Sequence, residues 1–239
     1  MAELAEIADL VRARARARRP YIVGVTGGVA AGKSTFALQL AQRLAEPAAR
    51  TAEVVSTDGF LMDNAALARL GLINRKGFPE SFDAEAMRAA LGAIRNGPAT
   101  FPGYSHTIFD IDPALSRRIE PPDVLIVEGL GLHAGAVAVG LDVLVYLHAE
   151  EALIEGWFAE RFIGFWRAAE TDPASFYARF RHLDEPGVRG VAAMVWRDIN
   201  LPNLRQHISR ARAVADIVVT KGEGHQVLAV SERKAEAAT

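Results

Sequence analysis

The sequence predicts an α/β fold, a doubly wound, mostly parallel sheet with helices on both faces. Short apolar runs recur at 21–25, 53–56, 124–127, 143–147 and 217–219. Stretches with helical spacing stand between them at 33–44, 84–94, 152–166 and 188–198, and a glycine-rich turn joins the first run to the first of these. Parallel strands covered on both faces read as continuous apolar runs, and their crossovers need helices, so this alternation is what such a sheet requires.

In chain order, Leu4, Ile7 and Val11 recur at helical spacing. Arg12, Arg14, Arg16, Arg18 and Arg19 beside them are expected to lie on a solvated face, giving an N-terminal helix over 1–20 ahead of a single domain over 21–239. Glu3, Glu6 and Asp9 argue against a cleaved transit peptide, and no apolar signal core follows. Pro20 breaks the helix before the first strand. The most apolar window, 130–149, contains His133, Asp142 and several glycines, so it is expected to be a loop feeding a buried strand and not a membrane span. Residues 71–83 and 98–122 read as long irregular segments, which in compact domains commonly carry function.

Half of the 239 residues are hydrophobic and 23% are charged, the balance of an ordinary globular protein. The net charge of -2 offers no positive field for nucleic acid or an anionic membrane, and neither partner is expected. The absence of cysteine excludes disulfides and thiolate metal sites and fits a reducing cytoplasm.

Ligands of doubly wound sheets sit beyond the carboxyl ends of the strands, where Gly27, Asp58 and Glu128 all fall. Gly27, Gly28, Val29, Ala30, Ala31, Gly32, Lys33 and Ser34 fit the P-loop spacing of glycine, four residues, then Gly-Lys-Ser, with a strand before and a helix after. Backbone N–H groups of such a loop point inward at phosphate oxygens, and the helix N-terminus adds partial positive charge. Lys33 is the expected partner of the β- and γ-phosphates of ATP, Ser34 would offer its hydroxyl to Mg2+, and Thr35 completes the nucleotide-binding run. A dinucleotide fingerprint is not met, because Thr26 stands two residues after Gly24 and Ala30 two after Gly28. Glu128 ends an apolar strand and is the expected acid beside the metal; a solvent-facing strand end is its ordinary alternative.

Transfer to a hydroxyl needs a group that orients it and takes its proton, and Asp58 follows the second strand. Alone, Asp58-Gly59 would more often be a turn. The runs Asp58-Gly59-Phe60-Leu61, Lys76-Gly77-Phe78-Pro79-Glu80-Ser81-Phe82-Asp83 and Tyr104-Ser105-His106 resemble the prokaryotic type I pantothenate kinases, P-loop kinases of the uridine kinase/phosphoribulokinase-like group. The similarity continues through Glu128-Gly129-Leu130, Arg161-Phe162, Thr171-Asp172-Pro173, Asp198-Ile199-Asn200 and Thr220-Lys221. This resemblance implies a P-loop NTPase fold, transfer of the γ-phosphoryl group of ATP to pantothenate as a step towards coenzyme A, and, by analogy, a homodimer. It implies Asp58 as the base, Tyr104, His106, Arg161 and Asn200 around the acceptor, and Lys221 and His225 near the adenine. Loop packing, a surface histidine or a turn would also account for Tyr104, His106 and Asn200 taken singly. Trp157, Phe162, Phe165 and Trp166 read first as a core stripe, although the matching family aromatics line the acceptor pocket.

The chain departs from that family in several places. It begins shortly before the P-loop strand, without an extension that helps hold the base, and it is shorter between Glu128 and Asp142, with Gly131 in place of Asn. Phe158 replaces a tyrosine that contacts the acceptor. Leu38 replaces an arginine that contacts coenzyme A, which implies weak feedback inhibition unless Leu38 simply packs under the sheet. Two other functions stay open on sequence: a sugar or nucleoside kinase, to which the runs Leu201-Pro202-Asn203 and Asp63-Asn64 are similar, and a nucleotide-dependent switch, which an acceptor-side Asp58 argues against.

Overall fold

The computed structural model describes residues 2–15, 18–46, 50–133 and 135–233. Six strands form the main sheet: β1 (Tyr21–Gly27), β2 (Ala52–Ser56), β3 (Val124–Glu128), β4 (Val143–His148), β5 (Ile217–Lys221) and β6 (Val227–Glu232). Their order across the sheet is β2-β3-β1-β4-β5-β6. The first five are parallel and β6 pairs antiparallel with β5. All five apolar runs are strands. The sixth strand is not among those runs although its stretch Val227-Leu228-Ala229-Val230 is apolar; its residues are half-buried or exposed throughout, as an edge strand allows.

There are five longer helices among the described residues, α1 (Ala2–Arg14), α2 (Lys33–Ala45), α3 (Ala84–Ala93), α4 (Glu151–Ala168) and α5 (Glu185–Val195), of which the first four pack on the sheet and α5 packs on α4. Phe36, Leu40 and Leu44 of α2 and Ile7 and Val11 of α1 are buried against Val23, Val25 and Ile126 on one face. Met87 and Leu91 of α3 and Ile154 of α4 pack with Ile22, Leu125 and Val127 on the other. Side chains alternate across a strand, so β1 and β3, buried along their whole length, feed both cores.

The structure corrects several sequence expectations. The first helix stops at Arg14, and its basic run is not simply solvated. Arg12 donates to the Glu46 carbonyl at 2.8 Å and to that of Arg43, stapling α1 to the end of α2, and Arg14 pairs with Glu232 of β6 at 2.6 Å; Arg16 lies outside the described residues. Residues 71–83 contain single helical turns at Ile73–Arg75 and Pro79–Ser81. Within 98–122, Ala99–Phe101 pairs with Arg117–Ile119 and Tyr104–Ser105 with Asp110–Ile111, both antiparallel. Past α5 the chain does not stop at 198. It widens into a π-helical turn, Trp196–Asn200, and continues as Leu201–Gln206. Pro202, whose missing N–H would interrupt an α-helix, falls in the first turn of that last piece, where no helical partner is needed.

Leu38 is 57% exposed on α2, which excludes packing under the sheet. Leu38→Arg is therefore expected to leave unfolding free energy within about 0.5 kcal/mol of the unmodified protein, as surface changes usually do; urea denaturation measures it. Among the described residues no helix is long and apolar enough to cross a membrane.

Candidate active site

The centre of the sheet builds the phosphate end of the site. β1 leads into a loop in which Ala30 and Gly32 take left-handed backbone angles, φ 59° and 80°, turning successive N–H groups to one side. Lys33 opens α2, and its ammonium reaches back to donate to the Gly28 carbonyl at 2.9 Å. A second cation approaches from β5, where buried Lys221 donates to the Ala31 carbonyl at 2.9 Å. A Cβ at position 32 would lie 2.9 Å from the Lys221 ammonium, the end of a flexible side chain, so it is the left-handed conformation that calls for glycine there. Burial and the neighbouring Lys33 depress the Lys221 pKa to about 8. Burial likewise lowers that of Lys33, with Glu128 and then Asp58 pulling it back.

Glu128 ends β3 beside Val25 of β1 and Ser56 of β2, so the strand register sets its carboxylate between the P-loop and Asp58. Ser34 donates to Glu128 Oε1 at 3.0 Å. Burial raises the Glu128 pKa, against the pull of Lys33. A hydroxyl and a carboxylate meeting here fit Mg2+, which takes one or two protein oxygens and completes its shell with phosphate and water. No cluster of three or more His, Asp or Glu side chains suited to a metal occurs among the described residues. Thr35 follows Ser34 on α2 and is exposed. His225 stacks on Trp157 of α4 with ring centroids 3.9 Å apart, and its Nδ1 lies 3.3 Å from where a Cβ on Gly32 would stand. Lys221 and His225 thus both flank the P-loop.

The acceptor side begins where β2 turns through a single helical turn, Thr57–Phe60. Ser56 Oγ accepts from the Asp58 amide at 3.2 Å and fixes the start of that turn. Any side chain at Gly59 would overlap the Pro102 carbonyl, so glycine lets the segment 101–106 lie directly over Asp58. The resulting cleft, about 190 Å³, is bounded by Ser56, Asp58, Tyr104, His106 and Glu128. His106 Nε2 lies 4.0 Å from Asp58 Oδ2 and 3.2 Å from Arg161 Nη2 on α4. Arginine only donates, so Nε2 is the acceptor and His106 is neutral. Burial, and next the Arg161 charge, lower its pKa in agreement. Tyr104 is raised far above the ordinary phenol value by burial and then by Asp58, and stays a protonated donor.

Asp58, Tyr104, His106 and Arg161 are therefore brought together, and Lys33, Ser34, Glu128, Lys221 and His225 surround the P-loop. Asn200 is half-buried at the end of the π turn, and no described residue hydrogen-bonds its side chain. Phe158, the position lacking the family hydroxyl, packs against Phe162 and Trp196 with centroids 6.0 and 6.2 Å away.

Two residues of the site were not singled out by sequence. Lys76, whose side chain is 5% exposed, donates to Asn64 Oδ1 and to the Phe109 carbonyl, both at 2.7 Å, and lies over the Tyr104 ring at 5.0 Å. Its place at the head of the run Lys76-Gly77-Phe78-Pro79-Glu80-Ser81-Phe82-Asp83, which carries the family resemblance, was the available signal. The other, Tyr177, sits in a single helical turn, Phe176–Phe180, whose sequence has no periodicity to notice.

A model of the Phosphoribulokinase / Uridine kinase family matches residues 22–158. The chain is 38% identical to a pantothenate kinase of Sorangium cellulosum over 242 residues, covering 97% of this chain and 79% of that protein. It is 40% identical to one from Xanthobacter autotrophicus over 231 residues, covering 91% and 72%. Its fold is similar to the crystal structure of a provisionally named fructose transport system kinase from Silicibacter sp. TM1040, with TM-score 0.70 and 26% identity over 89% of this chain and 94% of that one. With a P-loop and an acidic acceptor cleft on a doubly wound sheet, the chain belongs to the Phosphoribulokinase / Uridine kinase family and groups within it with the pantothenate kinases.

Proposed function

We propose that this protein is a phosphotransferase that uses ATP to phosphorylate the terminal hydroxyl of pantothenate. The observation that carries the proposal is Asp58, held across the cleft from Lys33 and Glu128 in a chain 38–40% identical to pantothenate kinases. Asp58 orients the acceptor hydroxyl and takes its proton as that oxygen bonds to the γ-phosphorus. The bond from the γ-phosphorus to the β,γ-bridging oxygen breaks, and ADP leaves. Lys33 and the loop N–H groups stabilise the charge on the transferred group. Neutral His106 supplies a hydrogen bond without competing for the proton. Ser34 and Glu128 would hold Mg2+, which neutralises phosphate charge when bound.

The test is purified protein with ATP and Mg2+ against pantothenate, uridine, fructose and other sugars, followed by ADP release. Pantothenate-dependent turnover is expected. Turnover with a sugar alone overturns the acceptor assignment, and ATP hydrolysis indifferent to any acceptor overturns the kinase assignment.

Arg161 is assigned to the pantothenate carboxylate, which its planar guanidinium suits. Arg161→Ala is expected to raise KM for pantothenate about tenfold, the scale of one charge-assisted hydrogen bond, and to leave an analogue ending in an alcohol little affected. The Arg161 charge also reaches Lys33. Should the variant lose kcat equally with both compounds, the guanidinium faces the phosphoryl group instead.

Lys221 gives a pH signature. Its pKa near 8 in the free protein means that its charge is lost as pH rises through 8. Polyphosphate favours the charged form, so binding above that pH takes up a proton, and ATP affinity is expected to fall by up to about tenfold per pH unit. Below pH 7 it should be flat. Lys221→Met should bind ATP more weakly and lose the slope above pH 8; calorimetric titration across pH 6.5–9.5 measures both.

A further inference from the structure

The turn Phe176–Phe180 covers the aromatic face of α4 and is tied to the loop that carries His106: the Phe176 amide donates to the Thr107 carbonyl at 2.8 Å. Ser175 Oγ accepts from the Tyr177 amide at 3.3 Å, fixing the backbone at that residue. The Tyr177 ring is stacked on Phe165 at 5.0 Å and meets the edges of Phe162 at 5.1 Å and Phe176 at 5.3 Å. These three rings lock it in place, and the residue is 7% exposed. Its hydroxyl has no hydrogen bond to any described residue, and it is not among the enclosed unpaired side-chain atoms, so its oxygen reaches accessible space.

The surroundings indicate what the hydroxyl addresses. Burial pushes its pKa up to about 12, so the phenol is protonated and able to donate. Among the described residues the charge that acts on it is Arg161, whereas Asp58 acts on Tyr104, and Tyr104 in turn feels Tyr177. Phe165, on which Tyr177 stacks, also faces the His106 ring at 6.1 Å and carries the Arg161 guanidinium over its ring at 5.4 Å, so Tyr177 belongs to the side-chain cluster that continues from the cleft past His106. A ligand oxygen lying along that path meets a donor already held in place, with no rotamer entropy left to lose on binding.

We propose that Tyr177 is an acceptor-binding residue whose hydroxyl donates to a carbonyl or carboxylate oxygen of the substrate, at the end of the cleft away from Asp58. The proposal rests on the acceptor site described above and names an interaction that none of the sequence motifs supplies. It also favours acceptors that carry such an oxygen, since one lacking it would forgo this hydrogen bond.

The test is Tyr177→Phe, which keeps the ring and its packing. KM for pantothenate is expected to rise about tenfold while kcat changes less than about twofold, as when a hydrogen bond made equally to the ground state and the transition state is deleted. The melting temperature should hold or rise, since the hydroxyl has no protein partner to give up. An unchanged KM overturns the proposal, and so does a fall in kcat with KM intact. A separate measurement keeps the two readings distinguishable: if the unmodified protein turns over a sugar and not pantothenate, the acceptor assignment fails, and the same variant is read with that sugar. Equal KM in variant and unmodified protein then overturns the role of Tyr177 as well.

Discussion

Asp58→Asn lowers turnover by about 10² to 10⁴, the range seen when a positioned base is lost, and leaves ATP affinity near that of the unmodified protein. The amide keeps the size and one acceptor oxygen of the carboxylate but cannot take the hydroxyl proton. The turn that carries residue 58 is held through its backbone by Ser56 Oγ and through Gly59 against Pro102, so the variant should fold. Rapid-quench measurement of phosphoryl transfer, with ATP binding measured separately, decides the matter. Lost ATP affinity with intact transfer at saturation would make Asp58 a nucleotide ligand.

Lys33→Ala removes the ammonium that spans the P-loop mouth, and at least a ~100-fold loss of turnover is expected, as for other preorganised stabilisers of transition-state charge. Among the described residues Lys33 donates only to the Gly28 carbonyl, and its burial lowers its pKa, so removing it relieves a desolvated charge. The melting temperature should therefore hold while activity collapses. Near-normal turnover in a folded variant refutes the assignment. Lys221 gives an internal comparison, since it lies against the same loop but is directed to the Ala31 carbonyl. A larger loss at Lys221 than at Lys33 would reverse the roles given to the two cations.

Much of this site was legible because its chemistry is local in the chain. The phosphate loop occupies eight consecutive residues between a strand and a helix, and Asp58 and Glu128 announce themselves at the ends of apolar runs. What could not be read depends on interactions between distant segments. His106 and Arg161 meet across 55 positions, and Lys221 meets Ala31 across 190; the family resemblance named His106, Arg161 and Lys221, but no spacing rule links either pair and their contacts were not readable. The edge strand β6 has only the four-residue apolar stretch Val227-Leu228-Ala229-Val230, too short for pattern alone to identify, and the π turn before Pro202 has no sequence pattern of its own. Tyr177 has neither motif nor period, and only the three rings around it show that its hydroxyl is fixed in space.

The buried Lys76 ammonium has a consequence for how such a site can change over evolutionary time. By bonding Asn64 and the Phe109 carbonyl, it joins three stretches of chain that would otherwise drift independently. A substitution in any one of them strains the other two, so beneficial changes there must arrive in combination, a barrier that single mutational steps cross poorly. Phe158 on α4 is under no such constraint, because it meets the rings of Phe162 and Trp196 and no shared ion. New acceptor preferences in this lineage are expected to arise at positions such as Phe158, and the loops around Lys76 to persist as an inherited frame.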